Sequence, residues 1–551
     1  MTEPITNHDT AAANLEDLYE LSPMQQGMLF HTLYAPKLGI YFEQSIFTIE
    51  GDFDRAAFQR AWQEVVNRHP ILRTGFVWDG LEKPLQFVYR NVNVEIEEHD
   101  WLSLDAQRQQ EMLEEFVRDD QQRGFELTRP PLMRLTLFRT GARDYKFVWS
   151  RHHLVLDRWS RSLVLQDFLA SYSAFSKGRE PELEETRPYR DYIDWLLKQD
   201  QAKAEAFWRR SLSGFESPTH LRLGSSRPAE KDTYDRVSAQ LSSEHTSALR
   251  NFAREQKLTM NTVVQGAWSL LLSRYSRERE VLFGATVAGR PADLPGVNSM
   301  VGLFINTLPV RVEVEPQASL LSWLRTLQEN LAEQRQYEYS SLIDIQGWSD
   351  IPRGVPLFES ILVFENLPAE SSFRETDSNL LMRGDRSVGA KTNYPLTVMV
   401  NPGAEVTIGA IYDRGHFDAD MIQQLLDHFV VLLKQFPLAG HRSVSEISLL
   451  EAAERDRLVN EWNQTAQIFA EEACVHELIE RQVELHGPDV ALVFGARQLT
   501  YEELNARANQ LAGYLTSKLP AGHADRLVGI YLDRGPEMVI AVLAVLKAGA
   551  A

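Results

Sequence analysis

A single cysteine, Cys474, stands among 551 residues. One thiol excludes an internal disulfide framework and any cysteine-rich metal site, so packing must hold the chain together. In Ala473-Cys474-Val475-His476 the expected state of that thiol is a buried filler. Positive charge is also in short supply, with 57 Lys and Arg against 77 Asp and Glu and a formal net charge of -20. No sustained basic stripe occurs, which argues against a nucleic-acid surface. Long apolar runs are missing too. Residues 1–14 are polar and acidic, without the apolar core of a signal peptide. The run at 538–546 is too short to span a bilayer and is closed by Lys547. A cytoplasmic protein without a membrane span is expected, and neither a fixed-period repeat nor a low-complexity tract stands out.

What remains is an ordinary globular composition, 44% hydrophobic and 24% charged. The length suits roughly three or four compact units. Helical and strand patterns alternate from about residue 18 to 450. Residues 53–66 carry apolar positions at helical spacing behind Asp54, a suitable N-cap. Residues 42–49, 132–138 and 280–288 read as strands, and 242–255 and 260–275 as helices. The polar stretch 176–186, rich in Glu and Pro, reads as a connection between two halves. Each half mixes helices with strands, so an α/β (α+β) pair of lobes is expected, 15–180 and 181–450. A linker at 451–470 leads to a change of character over 471–551. There a helix at 475–486, strands at 490–494 and 527–531, and a helix at 501–515 are expected.

The chemistry concentrates in Arg151-His152-His153-Leu154-Val155-Leu156-Asp157-Arg158-Trp159-Ser160, which follows the apolar run Tyr145-Lys146-Phe147-Val148-Trp149. In an extended backbone neighbouring side chains point to opposite faces. One imidazole can then enter a cavity while the other packs behind it. Histidine exchanges a proton near neutral pH. Taken alone, the pair also fits two satisfied core histidines.

Other segments change that balance. Leu21-Ser22-Pro23-Met24-Gln25-Gln26-Gly27-Met28-Leu29-Phe30-His31, Arg68-His69-Pro70-Ile71-Leu72-Arg73-Thr74-Gly75-Phe76 and Tyr189-Arg190-Asp191-Tyr192-Ile193-Asp194-Trp195 precede or follow it in order. Phe207-Trp208, Val301-Gly302-Leu303-Phe304-Ile305-Asn306-Thr307-Leu308-Pro309-Val310-Arg311 and Thr392-Asn393-Tyr394-Pro395-Leu396 come later. With the histidine motif, this ordered set resembles nonribosomal peptide synthetase condensation domains.

The resemblance implies two lobes, each like a chloramphenicol acetyltransferase monomer, facing each other in a V as a pseudo-dimer. A tunnel between them would take an upstream donor and a downstream acceptor. Both would be thioesters on phosphopantetheine arms of partner carrier proteins, with no metal and no cofactor bound to this chain. His153 is the implied catalytic residue, as a general base or as a group that orients the amine and stabilises the intermediate. His152 is implied to be structural. For Asp157 the resemblance favours a buried salt bridge with Arg68 over a role as base or as the partner that orients His153. Arg73, Trp208 and Asn306 are implied to be architectural, Arg73 with a share in function.

One position departs from the pattern. Relatives carry Gly after the aspartate, where this chain has Arg158. Its guanidinium could turn aside to a carboxylate or carbonyl, could gate the acceptor side of the tunnel, or could pair with a negative group of the substrate or pantetheine arm. Trp159-Ser160 stands where epimerising relatives usually carry Ser-Trp. The first motif looks more like those of domains that accept a donor ending in a D-residue. Two rivals stay open: epimerisation of a carrier-bound residue, and an idle carrier-docking scaffold blocked by Arg158.

The last segment resembles a different enzyme. Leu499-Thr500-Tyr501-Glu502-Glu503-Leu504-Asn505 and Leu546-Lys547-Ala548-Gly549-Ala550-Ala551 look like the opening motifs of adenylation domains. No Gly, Ser and Thr-rich phosphate loop follows them, so ATP binding and amino-acid activation are not expected here. The incomplete lobe is expected to be less ordered than the body or docked on it, and the remaining adenylation domain would be its partner in a full synthetase.

Overall fold

A computed structural model describes residues 13–36, 38–221, 234–365, 380–388, 391–467, 473–519 and 526–551. The chain divides into two compact units, Met1–Glu451 and Ala452–Ala551.

The first half of the larger unit is built on a five-stranded sheet. Its order is Leu380–Val388, Phe42–Gly51, Asp144–His152, Met133–Arg139 and Ile96–Asp100. Both faces are covered, and strand alternation shows how. Phe47, Phe147 and Trp149 point to the face packed by helices Arg55–Arg68 and Arg158–Phe175. Ile46, Val148 and Phe138 point to the other, where Leu113 of helix Ala106–Arg123 meets them. The Asp54 carboxylate caps helix Arg55–Arg68 by accepting from the Ala57 N–H at 3.0 Å. The apolar stripe behind it (Ala57, Phe58, Ala61, Trp62, Val65, Val66) is buried throughout.

The second half carries a six-stranded sheet in the order Asn306–Glu313, Glu280–Val287, Ser360–Phe364, Leu396–Pro402, Val406–Asp413, Tyr234–Gln240. Helices Ser243–Glu255, Met260–Ser276, Leu320–Gln334 and Ala419–Gln435 contribute to the core on one face. Helices Gln201–Leu212 and Leu342–Trp348 contribute to the smaller core on the other.

The halves are not contiguous in sequence, which corrects the 15–180 and 181–450 division. Strand Leu380–Val388 leaves the second half to pair antiparallel with Phe42–Gly51. Helix Arg190–Leu196 and the segment from Leu294 to Phe304 bury their apolar side chains in the first core. Apolar side chains go where a face is open, whatever their place in the chain. Two glycines make the second insertion possible. Gly302 lies against the Tyr189 ring, where a Cβ would come within 2.1 Å. Gly289 adopts φ +59°, and a Cβ there would stand 1.8 Å from the Phe304 carbonyl oxygen.

The smaller unit packs helices Val475–His486, Tyr501–Lys518 and Pro536–Lys547 with the hairpin Val490–Phe494/Arg497–Thr500. Its cores are small, centred on Leu499, Leu504, Ala508, Ile540 and Leu543 and on Ala512, Ala544 and Ala548. Cys474 is exposed rather than buried, because it occupies the N-cap position of Val475–His486. Residues 527–531 form no strand. They make only an end contact, through Val528 N–H to the Ala551 carbonyl at 2.8 Å and Ala551 N–H to that of Arg526 at 2.8 Å. An apolar run without a ladder partner along its length does not become a strand. Among the described residues no helix is long and apolar enough to cross a membrane.

Gly289→Ala should lower the stability of the larger unit by about 3 kcal/mol, from left-handed strain plus the carbonyl clash. Gly80→Ala is the control, since Gly80 also has positive φ (+73°) but no atom within 4 Å of a Cβ. Thermal unfolding should show the larger loss at Gly289; equal losses would leave the close approach without a role.

Candidate active site

The strand that ends in His152 lies antiparallel to Phe42–Gly51, with Glu43 opposite Arg151 and Phe42 opposite His152. Alternation therefore sorts these residues. Tyr41, Glu43, Arg151 and His153 line a cavity of about 900 Å³. Phe42 and His152 turn to the opposite side. The cavity wall draws on both halves of the larger unit, including Met24, Met28 and His31 from helix Pro23–Tyr34 and Phe358, Glu365 and Met399 from the second half.

His153 is held at two points. Its backbone N–H donates to the Tyr41 carbonyl at 2.8 Å, and its ring Nδ1 lies 2.6 Å from the Leu156 carbonyl. A carbonyl only accepts, so Nδ1 carries a proton. Tyr41, which anchors it, is a non-glycine residue at φ 60°. Its hydroxyl donates to Asn393 Oδ1 at 2.8 Å, tying the histidine's support to the last sequence motif.

His152 is 2% exposed, and its Nδ1 accepts from the Leu154 N–H at 3.2 Å. Thr32 Oγ1 lies 3.5 Å from Nε2. Burial, assisted by the neighbouring His153, pushes its pKa down to about 3 against the pull of Glu43. This imidazole is neutral and packed.

Asp157 does not pair with Arg68. It caps helix Arg158–Phe175, Oδ1 accepting from Ser160 N–H at 2.7 Å, and Oδ2 accepts from Phe304 N–H at 3.0 Å. Its own N–H donates to the Gly302 carbonyl at 3.1 Å. Ser160 Oγ donates to that carbonyl at 2.7 Å and accepts from Gly302 N–H at 3.0 Å. The cation beside Asp157 is Arg290, 3.6 Å away, which also donates to Ser160 Oγ at 2.8 Å. Burial lowers the Arg290 pKa and Asp157 opposes the fall. Its guanidinium lies 3.9 Å from the Phe304 ring centroid. Trp159 donates from Nε1 to the Asn298 carbonyl at 3.0 Å, closing the same loop.

Arg68 instead reaches Asp167 at 2.9 Å, and His69 meets the same carboxylate at 2.8 Å. Asp167 lies ten residues beyond Asp157, about 15 Å along the helix. Arg73 is buried and bonds the carbonyls of Val66 at 3.1 Å and Arg90 at 3.2 Å and the Glu16 carboxylate at 2.6 Å. Trp208 and Asn306 converge on one residue, Trp208 Nε1 on Ser340 Oγ at 2.9 Å and Asn306 Nδ2 on the Ser340 carbonyl at 2.8 Å. Asn306 also lines the cavity.

Arg158 opens the helix and reaches across to the second half. Its Nη1 donates to the Glu365 carboxylate and lies 3.4 Å from Asn401 Oδ1. Sequence reasoning missed Glu365 and Arg290, and it missed the pairing of Glu43 with Arg151. Glu43 and Arg151 form a buried pair at 2.7 Å beside His153. Burial works to raise the Glu43 carboxyl, but Arg151, His153 and Arg161 outweigh it and hold it at about 2. The signals were an acid early in the strand-like stretch 42–49 and the run Gly289-Arg290-Pro291.

The His152 burial carries a pH dependence. The unfolded chain protonates this histidine near 6.5, the folded chain only near 3, so protons favour unfolding between those values. Its contribution is complete above 6.5 and diminishes as pH falls, by roughly 2 kcal/mol at pH 5. His152→Asn, which keeps an acceptor near Nδ1, should shrink the difference in unfolding free energy between pH 8 and pH 5 by that amount. Denaturant titrations at the two pH values check this, and identical differences would remove His152 as the cause.

Two protein families match the chain. The condensation-domain family matches residues 15–459, and the AMP-binding enzyme family matches residues 479–551. The chain is 43% identical to one of the linear gramicidin synthase proteins of Brevibacillus parabrevis over 99% of its own length and 7% of that protein. It is 44% identical to a second protein of the same synthase over 99% of its own length and 11% of that protein. A solved four-domain nonribosomal peptide synthetase, bound to AMP and glycine, shares the fold. It matches at a TM-score of 0.74 and 20% identity over 98% of this chain and 41% of that one. The chain thus spans a small part of its synthase relatives. With most of its length matched by the first of these families, the chain belongs to the condensation-domain family of nonribosomal peptide synthetases, followed by an AMP-binding segment.

Proposed function

We propose that the cavity joins a donor acyl or peptidyl thioester to the amine of an acceptor aminoacyl thioester. Both would enter on phosphopantetheine arms of carrier proteins. The observation that carries this reading is His153, whose Nδ1 donates to the Leu156 carbonyl while the ring lines a cavity shared by both halves. A volume near 900 Å³ suits two acyl groups meeting end to end.

The acceptor nitrogen attacks the donor carbonyl carbon, forming the C–N bond and placing an electron pair on the carbonyl oxygen. His153 Nε2 takes the proton from that nitrogen, and the Leu156 carbonyl holds the Nδ1 proton as charge develops on the ring. Collapse of the intermediate breaks the C–S bond, and the thiolate takes the proton from His153. Asp157 and Arg290 touch neither substrate in this scheme. They are positioning residues that set where the turn at 153–157 lies.

Arg158 is the second element of the reading. Its guanidinium turns aside to Glu365 and Asn401 at the cavity wall, and release from that pair would change which acceptor enters. The donor is assigned a terminal D-residue on the resemblance of Ser22-Pro23-Met24-Gln25-Gln26-Gly27-Met28-Leu29-Phe30-His31.

Loaded donor and acceptor carriers mixed with the protein should yield carrier-bound amide by mass spectrometry, more with a D- than an L-terminal donor. His153→Ala should lower the rate at least about a hundredfold without lowering the melting temperature. Retained product would remove His153 from the chemistry. Asp157→Ala should behave differently, losing activity and about 3–5 kcal/mol of stability together, because it leaves Arg290 buried without its carboxylate. Arg158→Gly should change relative rates among acceptor thioesters, and unchanged rates with unchanged selectivity would sink the gate.

A further inference from the structure

Helix Pro23–Tyr34 presents one face to the cavity, through Pro23, Met24, Gly27, Met28 and His31, with Phe30 at its edge. The spacing of 24, 27, 28 and 31 places these positions in one stripe. Gly27 sits at the centre of that stripe, where a side chain is missing.

Nothing in the packing asks for a glycine there. A Cβ on Gly27 would meet no atom within 4 Å. Gly266, in helix Met260–Ser276, shows the opposite situation, since its Cβ would come within 2.3 Å of Leu324. Gly347 and Gly513 are helical glycines with open surroundings too, but both are exposed. Among the described residues Gly27 is the one glycine that lines the cavity. Glycine is among the poorest helix formers. Its place in the middle of a capped helix, without any close neighbour, is costly for the helix and leaves room only in the lumen. The room it leaves is flanked by Met24 and Met28, whose flexible thioethers adapt to an apolar guest.

We infer that Gly27 is a specificity-determining residue. The gap at its position forms a notch that receives a bulky apolar side chain on one of the two carrier-bound aminoacyl groups. This rests on the peptide-bond reading above. The donor and the acceptor both offer such a side chain, and the experiment separates them.

The full chain and its Gly27→Ala and Gly27→Val variants are assayed with four carrier-bound pairs. Phenylalanyl or glycyl donors meet a glycyl acceptor, and phenylalanyl or glycyl acceptors meet a glycyl donor. Gly27→Ala should raise the melting temperature slightly and leave the all-glycyl pair little changed. It should lower kcat/KM roughly tenfold for the pair with phenylalanine on the notch side, with Gly27→Val lowering it further. A loss confined to the donor or to the acceptor series says which group the notch receives. Equal losses for all pairs, no loss for any, or a fall in melting temperature with Gly27→Ala would overturn the inference. Should the unaltered protein form no amide at all, the peptide-bond reading fails. The notch is then judged by binding of phenylalanyl and glycyl pantetheine thioesters, which must weaken selectively for phenylalanyl in the variants.

Discussion

The buried carboxylate of Asp157 makes three attachments at once: to Ser160 N–H, to Phe304 N–H and, at longer range, to Arg290. Its oxygens have the donors an ionised group needs, from a helix N-terminus and from a segment more than a hundred residues away. That closure brings residues 302–304 and the Arg290 loop against the first residues of helix Arg158–Phe175. It also determines where the preceding turn lies, and so where Leu156 offers its carbonyl to His153. The clasp itself is nearly sealed, Asp157 being 1% exposed.

The site is divided by the simplest rule in β-structure. Two consecutive histidines at a strand end face opposite ways, so one is sealed and neutral while the other meets the cavity. The same alternation on the neighbouring strand puts Glu43 beside Arg151 on the cavity side, and Gln44 on the other face with the Asp120 network. Two buried polar systems thus flank one strand without sharing a residue. The Glu43 carboxylate meets Arg151 and the Asp120 carboxylate meets Arg134, so both acids are paired, while Gln44 Oε1 and Arg151 Nε are buried without a hydrogen-bond partner.

Much of this was legible in the sequence for local reasons. The helix behind Asp54, the strands around the double histidine and the exposed role of polar connections follow from caps, periodicity and turn chemistry, which act within a few residues. Arg68 and Asp157 show where such reading ends. Both are charged motif residues of opposite sign, but a helix places Asp167 rather than Asp157 opposite Arg68. The boundary between halves failed for a similar reason. Strand Leu380–Val388 and the Leu294 to Phe304 segment have ordinary local patterns, and nothing local says which sheet or core will take them. Composition suggests a buried filler at Cys474, yet its backbone sits at a helix start and its thiol is exposed.

The sequence by itself determined the elements, the order of the motifs and the alternation that separates His153 from His152, because each depends on backbone geometry over a few residues. Only the tertiary structure decided the partners: Arg290 for Asp157, Glu365 for Arg158, Arg151 for Glu43 and the open lumen beside Gly27. Those depend on which distant surfaces meet. Coulomb attraction and close packing act only once the chain has brought the groups within a few ångströms, and that distance is a property of the whole fold.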